Sequence, residues 1–113
     1  MRIEVKGRNV TVGDELRERI EKRFAKIGRQ VSPLARVEIE LKEERNPAIR
    51  ESQVAEATLY LKGVTLRARE ASESMQHSIK LVADELARQV KKHRDKRRRR
   101  RESAKFQPGE AAL

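Results

Sequence analysis

Residues 54–70 have the sequence VAEATLYLKGVTLRARE, in which apolar and polar residues alternate on both sides of Lys62-Gly63. Alternation at every second position is typical of a strand with one buried face, and a glycine in a short connection favours a tight hairpin. We therefore predict two antiparallel strands, residues 54–61 and 64–70. The side chains expected to face the core are Leu59, Leu61, Leu66 and Ala68. Those expected to face away are Tyr60, Arg67 and Arg69.

Two segments earlier in the chain show the same alternation. In Arg2–Lys6 the apolar residues Ile3 and Val5 fall on one side, and residues 37–41 alternate in the same way. Each segment is predicted to be a half-buried strand. The polar stretch 43–52, which separates the second of these strands from the hairpin, is predicted to be a loop.

Two other segments have the apolar spacing of amphipathic helices. The first has its apolar residues at Val12, Leu16, Ile20, Phe24 and Ile27. It follows Thr11, which has the spacing of a capping box with Asp14, and it is expected to stop near Gly28. The second helix is expected to be capped by Ser72. Its apolar residues are Met75, Ile79, Val82, Ala83, Leu86 and Val90.

The predicted order of elements is β-α-β-β-β-α. Because every strand has one apolar and one polar face, we predict an α+β fold in which a four-stranded sheet has two helices packed on one face. A right-handed crossover would make the first two strands parallel, and the absence of a final strand excludes a ferredoxin-like order. The predicted fold is similar to a double-stranded-RNA-binding domain with an added N-terminal strand.

The second helix has no apolar residue to continue its stripe, so its contact with the body is expected to end near Val90 or His93. The run KKHRDKRRRRR at residues 91–101 is strongly basic. We predict a domain formed by residues 1–96 and a basic, disordered C-terminal tail formed by residues 97–113.

The 113-residue chain has a formal net charge of +10, which is unevenly distributed. Residues 1–90 contain 18 basic and 15 acidic residues, and residues 91–113 contribute the remaining +7. This charge indicates a polyanionic partner, such as a nucleic acid, an acidic membrane surface or an acidic protein. The chain has no cysteine and no apolar stretch long enough for a signal peptide or membrane span. We therefore expect a cytoplasmic protein without a membrane partner.

Sequence patterns typical of enzymes are absent. The chain has no glycine-rich phosphate loop, no serine elbow and no pair of histidines at metal-binding spacing. His77 and His93 lie sixteen residues apart on the second helix, too far to share a metal ion. We predict that the protein is not an enzyme and that it uses no cofactor, metal or small-molecule substrate.

Basic and acidic residues occupy separate sectors of the predicted helices. On the first helix one sector contains Arg19, Lys22, Arg23, Lys26 and Arg29. Another sector, opposite the core, contains Asp14, Glu18 and Glu21. The second helix gathers Lys80, Arg88, Lys91 and Arg94 on one flank, which Asp84 interrupts. Cations at this spacing can contact successive phosphates of a nucleic-acid backbone. The alternative interpretation of the first helix is a solvated surface on which Glu18–Lys22 and Glu15–Arg19 form ion pairs. Since both helices lie on one side of the sheet, we expect their basic flanks to merge.

The exposed sheet face argues against recognition by base stacking. Its only aromatic residue is Tyr60, surrounded by acidic residues such as Glu38 and Glu56, so Tyr60 is predicted to be a cross-strand packing residue. The second helix opens with Ser72-Glu73-Ser74-Met75 and lacks the lysine cluster typical of a double-stranded-RNA-binding domain. We therefore predict recognition of shape and phosphate. An auxiliary basic tail, expected to add affinity, consists of Arg97, Arg98, Arg99, Arg100 and Arg101.

Three blocks of the chain resemble a known family. They are IEVKGRNVTVGDELRERIEKRFAKI at residues 3–27, LYLKGVTLRA at residues 59–68 and ASESMQHSIKLVADELARQVKKHRDK at residues 71–96. This pattern resembles the ribosome hibernation promoting factor family, which includes the ribosome-associated inhibitor and proteins formerly described as sigma-factor modulators. The resemblance implies the β-α-β-β-β-α fold. It also implies binding to ribosomal RNA and ribosomal proteins in the mRNA and tRNA channel of the small subunit, which silences translation in stationary phase or stress.

The resemblance also selects residues within the basic flanks. The positions that match the family pattern are Arg23, Lys26, Arg29, Arg88, Lys91 and Lys92. The family often has lysine before the leucine of the second helix, where this chain has Glu85, and Lys80 one turn earlier is the expected substitute. Long members add a dimerising domain after a linker. This chain resembles a short form, expected to be monomeric when free, and the alternative is a fragment of a longer protein.

Two alternative functions remain open at this stage. One is a protein-interaction regulator of a transcription factor, which would use the acidic ridge of the first helix and the charged sheet face. The other is a non-specific RNA-binding protein that acts through its arginine-rich tail.

Overall fold

The structure, a computed structural model, describes residues 1–105 of the chain. Its elements are β1 (Arg2–Arg8), α1 (Asp14–Gly28), β2 (Arg36–Glu43), β3 (Gln53–Leu61), β4 (Val64–Ser72) and α2 (Met75–Lys105). The predicted β-α-β-β-β-α order and α+β class are confirmed.

The four strands form one sheet in the order β1-β2-β3-β4. β1 and β2 are parallel, as the right-handed crossover predicts, and the other two pairs are antiparallel. The β3–β4 hairpin turns at Lys62 and Gly63, between the paired residues Leu61 and Val64. Gly63 has a φ of 79°, which glycine adopts without the steric cost that a side chain would impose.

The core lies between one face of the sheet and both helices. In β2 the alternate residues Val37, Ile39 and Leu41 are fully buried there, because successive side chains in a strand point to opposite faces. The largest fully buried side chains are Phe24, Ile20, Ile27, Ile39, Leu41, Leu59, Ile79 and Leu86. Burial of a side chain of this size contributes about 1.5–3 kcal/mol, so this layer fixes the position of both helices.

The helix starts differ from the sequence-based expectations. α1 begins at Asp14 with Gly13 as its N-cap and no side-chain cap, so the expected capping box at Thr11 is not formed. α2 begins two residues later than a Ser72 cap requires, because the backbone of Ser72 is still paired with Gln53 in the sheet. Ser74 takes the capping role, and its Oγ accepts a hydrogen bond from the His77 N–H at 3.4 Å.

The second helix is also longer than predicted. α2 has 31 residues and continues to Lys105, so the expected disorder is corrected for residues 97–105, while residues 106–113 of the expected tail lie outside the described residues. Arginine and lysine have high helix propensity, and a helix already nucleated by packed turns extends at little cost per residue. Contact with the body does end where predicted, since Val90 is the last buried residue of α2 among those described.

None of the helices in residues 1–105 combines the length and the apolar character needed to span a bilayer.

Candidate nucleic-acid interface

The orientation of α1 is fixed by its contact with the first residue of the chain. A Cβ on Gly28 would lie 3.6 Å from the Met1 side chain, so this side of α1 faces the β1 end of the sheet. Arg19, Arg23 and Lys26 lie about half a turn away from Gly28 around the helix, at 3.6 residues per turn. They therefore face α2.

The orientation of α2 is fixed in the same way at the other edge of the sheet. The Gln89 side-chain amide donates a hydrogen bond of 2.8 Å to the Arg67 carbonyl of β4. Lys80, Lys91 and Arg94 lie on the opposite side of α2, again about half a turn away. They face α1, which contacts α2 directly.

The two basic flanks therefore face each other across the contact between the helices. We call this set the interhelical basic surface, and it consists of Arg19, Arg23, Lys26, Lys80, Lys91 and Arg94. Four other predicted residues lie on the sides of the helices turned away from the sheet, and these are Lys22, Arg29, Arg88 and Lys92. All of these side chains are exposed except Arg19, which is half-buried. The predicted merging of the two flanks thus follows from helix orientation.

The two helices differ in how far their basic residues are paired. Within residues 1–105, no basic residue of α1 forms an ion pair, and the expected Glu18–Lys22 and Glu15–Arg19 pairs are not formed. On α2, Lys80 lies 3.4 Å from Asp84. The cations of α1 therefore need no exchange of partner before they contact a phosphate.

Arg88 is the most tightly paired of the predicted residues. Its guanidinium donates two hydrogen bonds to the Glu85 carboxylate, at 2.7 and 3.0 Å, and Gln89 donates a third at 3.2 Å. These hydrogen bonds lower the pKa of Glu85 to about 2. The Glu85 carboxylate is therefore ionised at neutral pH and neutralises part of the positive charge of Arg88. Glu85 is also the residue at which the chain departs from the family pattern.

The open face of the sheet is charged but internally compensated. Arg2, Arg8 and Arg36 lie within 3.5 Å of Glu4, Glu40 and Glu38, respectively. The Arg36 guanidinium lies 4.4 Å from the centroid of the Tyr60 ring, and the Tyr60 hydroxyl donates to Glu38 at 3.2 Å. Tyr60 is therefore covered on this face, in agreement with its predicted role in cross-strand packing.

Two features of the surface differ from, or add to, the expectations drawn from the sequence. The first is the helical state of Arg97–Arg101, for which the high helix propensity of arginine was an available signal. The second is Leu34, which is 94% exposed. The available signal for its exposure was Ser32-Pro33, since serine and proline favour turns and turns lie at the surface.

Residues 3–98 match the family model described as Sigma 54 modulation protein / S30EA ribosomal protein, and the chain belongs to this family. The resemblance drawn from the three sequence blocks is thereby confirmed.

Two curated relatives carry the name ribosome hibernation promotion factor. The protein from Picosynechococcus sp. is 32% identical over 97 residues, which cover 85% of this chain and 50% of the relative. The protein from Staphylococcus aureus is 34% identical over 96 residues, which cover 83% of this chain and 48% of the relative. This chain therefore spans about half the length of these two relatives.

Two solved structures share the fold. The N-terminal domain of Protein Y from Thermus thermophilus aligns with a TM-score of 0.70 at 26% identity, covering 82% of this chain and 99% of that chain. A ribosomal subunit interface protein from Coxiella burnetii also aligns with a TM-score of 0.70, at 22% identity, covering 84% of this chain and 99% of that chain. The second likeness concerns the fold alone.

Proposed function

We propose that this protein is a non-enzymatic ribosome hibernation factor. It binds the small ribosomal subunit in the mRNA and tRNA channel through phosphates of ribosomal RNA, and it silences translation in stationary phase or stress. The observation that carries the proposal is the interhelical basic surface, on which the basic flanks of two contacting helices lie next to each other. Membership in a family whose curated relatives are named ribosome hibernation promotion factors supports the same function.

The proposed contacts divide between the helices. On α1, Arg19, Arg23 and Lys26 contact phosphates directly, because no carboxylate among residues 1–105 holds them. On α2, Lys91 and Arg94 contact other phosphates of the same RNA segment. The outward-facing members Lys22, Arg29, Arg88 and Lys92 and the tail residues Arg97–Arg101 add phosphate contacts around this centre.

Binding of this kind depends strongly on salt. Each phosphate contact releases a counterion, so the logarithm of the affinity falls linearly with the logarithm of the salt concentration, with a slope of about 0.7–0.9 per contact. Because the contacts are to phosphate and not to base edges, the selectivity for the ribosome comes from the shape of the RNA channel.

The proposal is tested by sedimentation of purified small subunits with Lys26→Glu and, as a matched control, Arg17→Glu. Both residues are exposed cations of α1, but Arg17 lies on the flank away from α2. We expect Lys26→Glu to release the protein from the subunit fractions at moderate salt and Arg17→Glu to remain bound. Equal release of both variants would mean that only the total charge matters, and retention of both would exclude the interhelical basic surface as the binding site.

The two alternative functions are separated by further outcomes of the same preparation. A transcription-factor regulator would retain its protein partner after nuclease treatment and would not sediment with subunits. A protein that acts through its tail alone would lose subunit binding on truncation after Lys96 and would be unaffected by Lys26→Glu.

A further inference from the structure

A groove of about 540 Å³ lies at the end of the molecule where α2 leaves the body. Three separate segments form it, namely the α1–β2 connection, the β3–β4 turn and the middle of α2. Its apolar lining residues are Val31, Leu34, Ala35, Leu61 and Val90. We call it the end groove. Its size falls within the range of about 300–1,000 Å³ that is typical of ligand sites.

Leu34 forms one edge of the end groove and is held there by local hydrogen bonds. Its N–H donates to Ser32 Oγ at 3.1 Å, and the Ala35 N–H donates to the Ser32 carbonyl at 3.0 Å. The turn after Pro33 therefore holds the Leu34 side chain 94% exposed while Ala35 is buried. Single exposed apolar residues are common on proteins, but this one borders an apolar depression and is fixed in position.

The opposite edge of the end groove is cationic. His93 and Arg97 follow Val90 at spacings of three and seven, so they continue the buried face of α2 beyond the point where the body ends. Arg94 and, from the β3–β4 turn, Lys62 complete this edge. Within residues 1–105, none of these four side chains forms an ion pair.

We propose that the end groove binds a peptide segment of a partner protein that has a large apolar side chain flanked by acidic residues. The apolar side chain fills the depression between Leu34, Leu61 and Val90. The acidic residues contact Lys62, Arg94 and Arg97. This interaction goes beyond the proposed contact with ribosomal RNA, because it uses an apolar depression and a different class of partner, although Arg94 and Arg97 border both surfaces.

The chemistry of the end groove disfavours two other occupants. A second copy would bring its own Lys62, Arg94 and Arg97 against the same cations if two grooves met, and like charges repel. Single-stranded RNA binds by stacking its bases on aromatic or guanidinium planes. The one aromatic residue that lines this groove, Tyr60, already has the Arg36 guanidinium 4.4 Å from its ring centroid. Aliphatic contact combined with a cationic edge matches an acidic, apolar peptide.

The test is a fluorescence anisotropy titration of the complete chain with a labelled peptide of sequence EDLLFDE. Two peptides serve as controls, KRLLFKR with reversed charge and EDSSSDE without apolar side chains. We expect saturable binding of EDLLFDE and at least about tenfold weaker binding of either control. EDSSSDE loses the burial of apolar side chains, and the cations of KRLLFKR are repelled by Lys62, Arg94 and Arg97.

Protein variants locate the binding site. Leu34→Ser is expected to weaken EDLLFDE at least about fivefold, whereas Ile49→Ser, at the other exposed large apolar residue of residues 1–105, leaves it unchanged. Arg97→Glu is expected to weaken EDLLFDE more than Arg99→Glu, which makes the same charge change on another side of α2. Leu34 and Arg97 are exposed, so these variants retain the fold.

Three results would overturn the proposal. The first is binding of KRLLFKR as tight as that of EDLLFDE, and the second is equal binding of EDLLFDE by Leu34→Ser and the unaltered chain. The third is occupation of the groove by something else. This would be seen as self-association in sedimentation that Leu34→Ser abolishes, or as an oligonucleotide that displaces EDLLFDE and no longer binds to Leu34→Ser.

Discussion

Replacement of Glu85 by glutamine is expected to strengthen the binding of ribosomal RNA. Glu85 holds Arg88 through two hydrogen bonds of 2.7 and 3.0 Å, and glutamine keeps the size of the side chain while it removes the negative charge. A phosphate that contacts Arg88 in the unaltered chain must do so beside this carboxylate. In Glu85→Gln the same phosphate meets the guanidinium without an opposing anion.

The size of the effect follows from the geometry of the pair. A phosphate oxygen bound to the free side of the Arg88 guanidinium would lie about 6 Å from the Glu85 carboxylate, given hydrogen bonds of ordinary length on both sides. With the dielectric constant of water, Coulomb repulsion at about 6 Å weakens binding roughly threefold. This distance is shorter than the Debye length of about 8–10 Å at 0.10–0.15 M salt, so screening leaves much of the effect.

The assay is equilibrium binding of Glu85→Gln to purified small subunits over a series of salt concentrations, with Glu51→Gln as a control. Glu51 is exposed in the β2–β3 connection, so its replacement makes the same change of net charge away from the helices. We expect a gain of roughly threefold at low salt and roughly twofold at 0.10–0.15 M salt for Glu85→Gln, and a smaller change for Glu51→Gln. An equal gain in both variants, or none in Glu85→Gln, would show that Arg88 does not contact phosphate.

The gain should not vary with pH across the neutral range. The pKa of Glu85 in the folded protein is about 2, below its ordinary value, because Arg88 donates hydrogen bonds to its carboxylate. The pairing of Glu85 with Arg88 is therefore fully present at any pH above the ordinary pKa, and it is lost only as the pH falls through about 2. The ratio of the two affinities is therefore expected to be constant between about pH 5 and 8. A ratio that falls toward 1 at about pH 5 would mean that Glu85 titrates there.

Two further predictions concern α2. Ser78→Ala should lower the free energy of unfolding by about 1–3 kcal/mol in urea denaturation, because the buried Ser78 hydroxyl bonds both the Gln53 carbonyl at 2.6 Å and Ser72 Oγ at 2.7 Å. Exposed Ser103→Ala is its control, and equal effects would contradict this role. Arg99→Pro should weaken subunit binding more than Arg99→Ala, since both remove one charge but only proline breaks the helix; equal weakening would show that helical order past Val90 is irrelevant.

The sequence patterns predicted the core and the topology well because those depend on periodicity. Alternation in residues 37–41 defines which side of β2 is buried, and the spacing from Val12 to Ile27 defines the buried stripe of α1. The parallel pairing of β1 with β2 followed from the handedness of the crossover. These features need only local sequence and a general rule.

Features that depend on competition between partners were not predictable in the same way. Arg88 has acidic neighbours at both Asp84 and Glu85, at spacings of four and three, and helix geometry permits either pair. The structure pairs it with Glu85, whose carboxylate also accepts a hydrogen bond from Gln89, itself held by the Arg67 carbonyl of β4. This choice depends on a strand that is distant in sequence.

The start of α2 was missed for a related reason. Ser72 and Ser74 are both good N-cap residues, and the sequence alone does not rank them. The pairing of Ser72 with Gln53 keeps its backbone in the sheet, and its hydroxyl bonds Ser78 instead of a helix N–H. Ser74, whose side chain is free to accept from a helix N–H, therefore caps the helix, which starts at Met75.

The helical state of Arg97–Arg101 also decides what this basic run can contribute. Successive residues of a helix are rotated by about 100°, so five consecutive arginines point in every direction around α2. Their backbone lies about 10–17 Å beyond Val90 along the helix axis, with no apolar residue to pack it against the body. Apart from Arg97, which borders the end groove, the arginines of this arm present their charges to all sides, so we expect them to attract polyanions without distinguishing between them. The flanks of α1 and α2 each have one fixed orientation, so we expect discrimination between RNA surfaces to come from them.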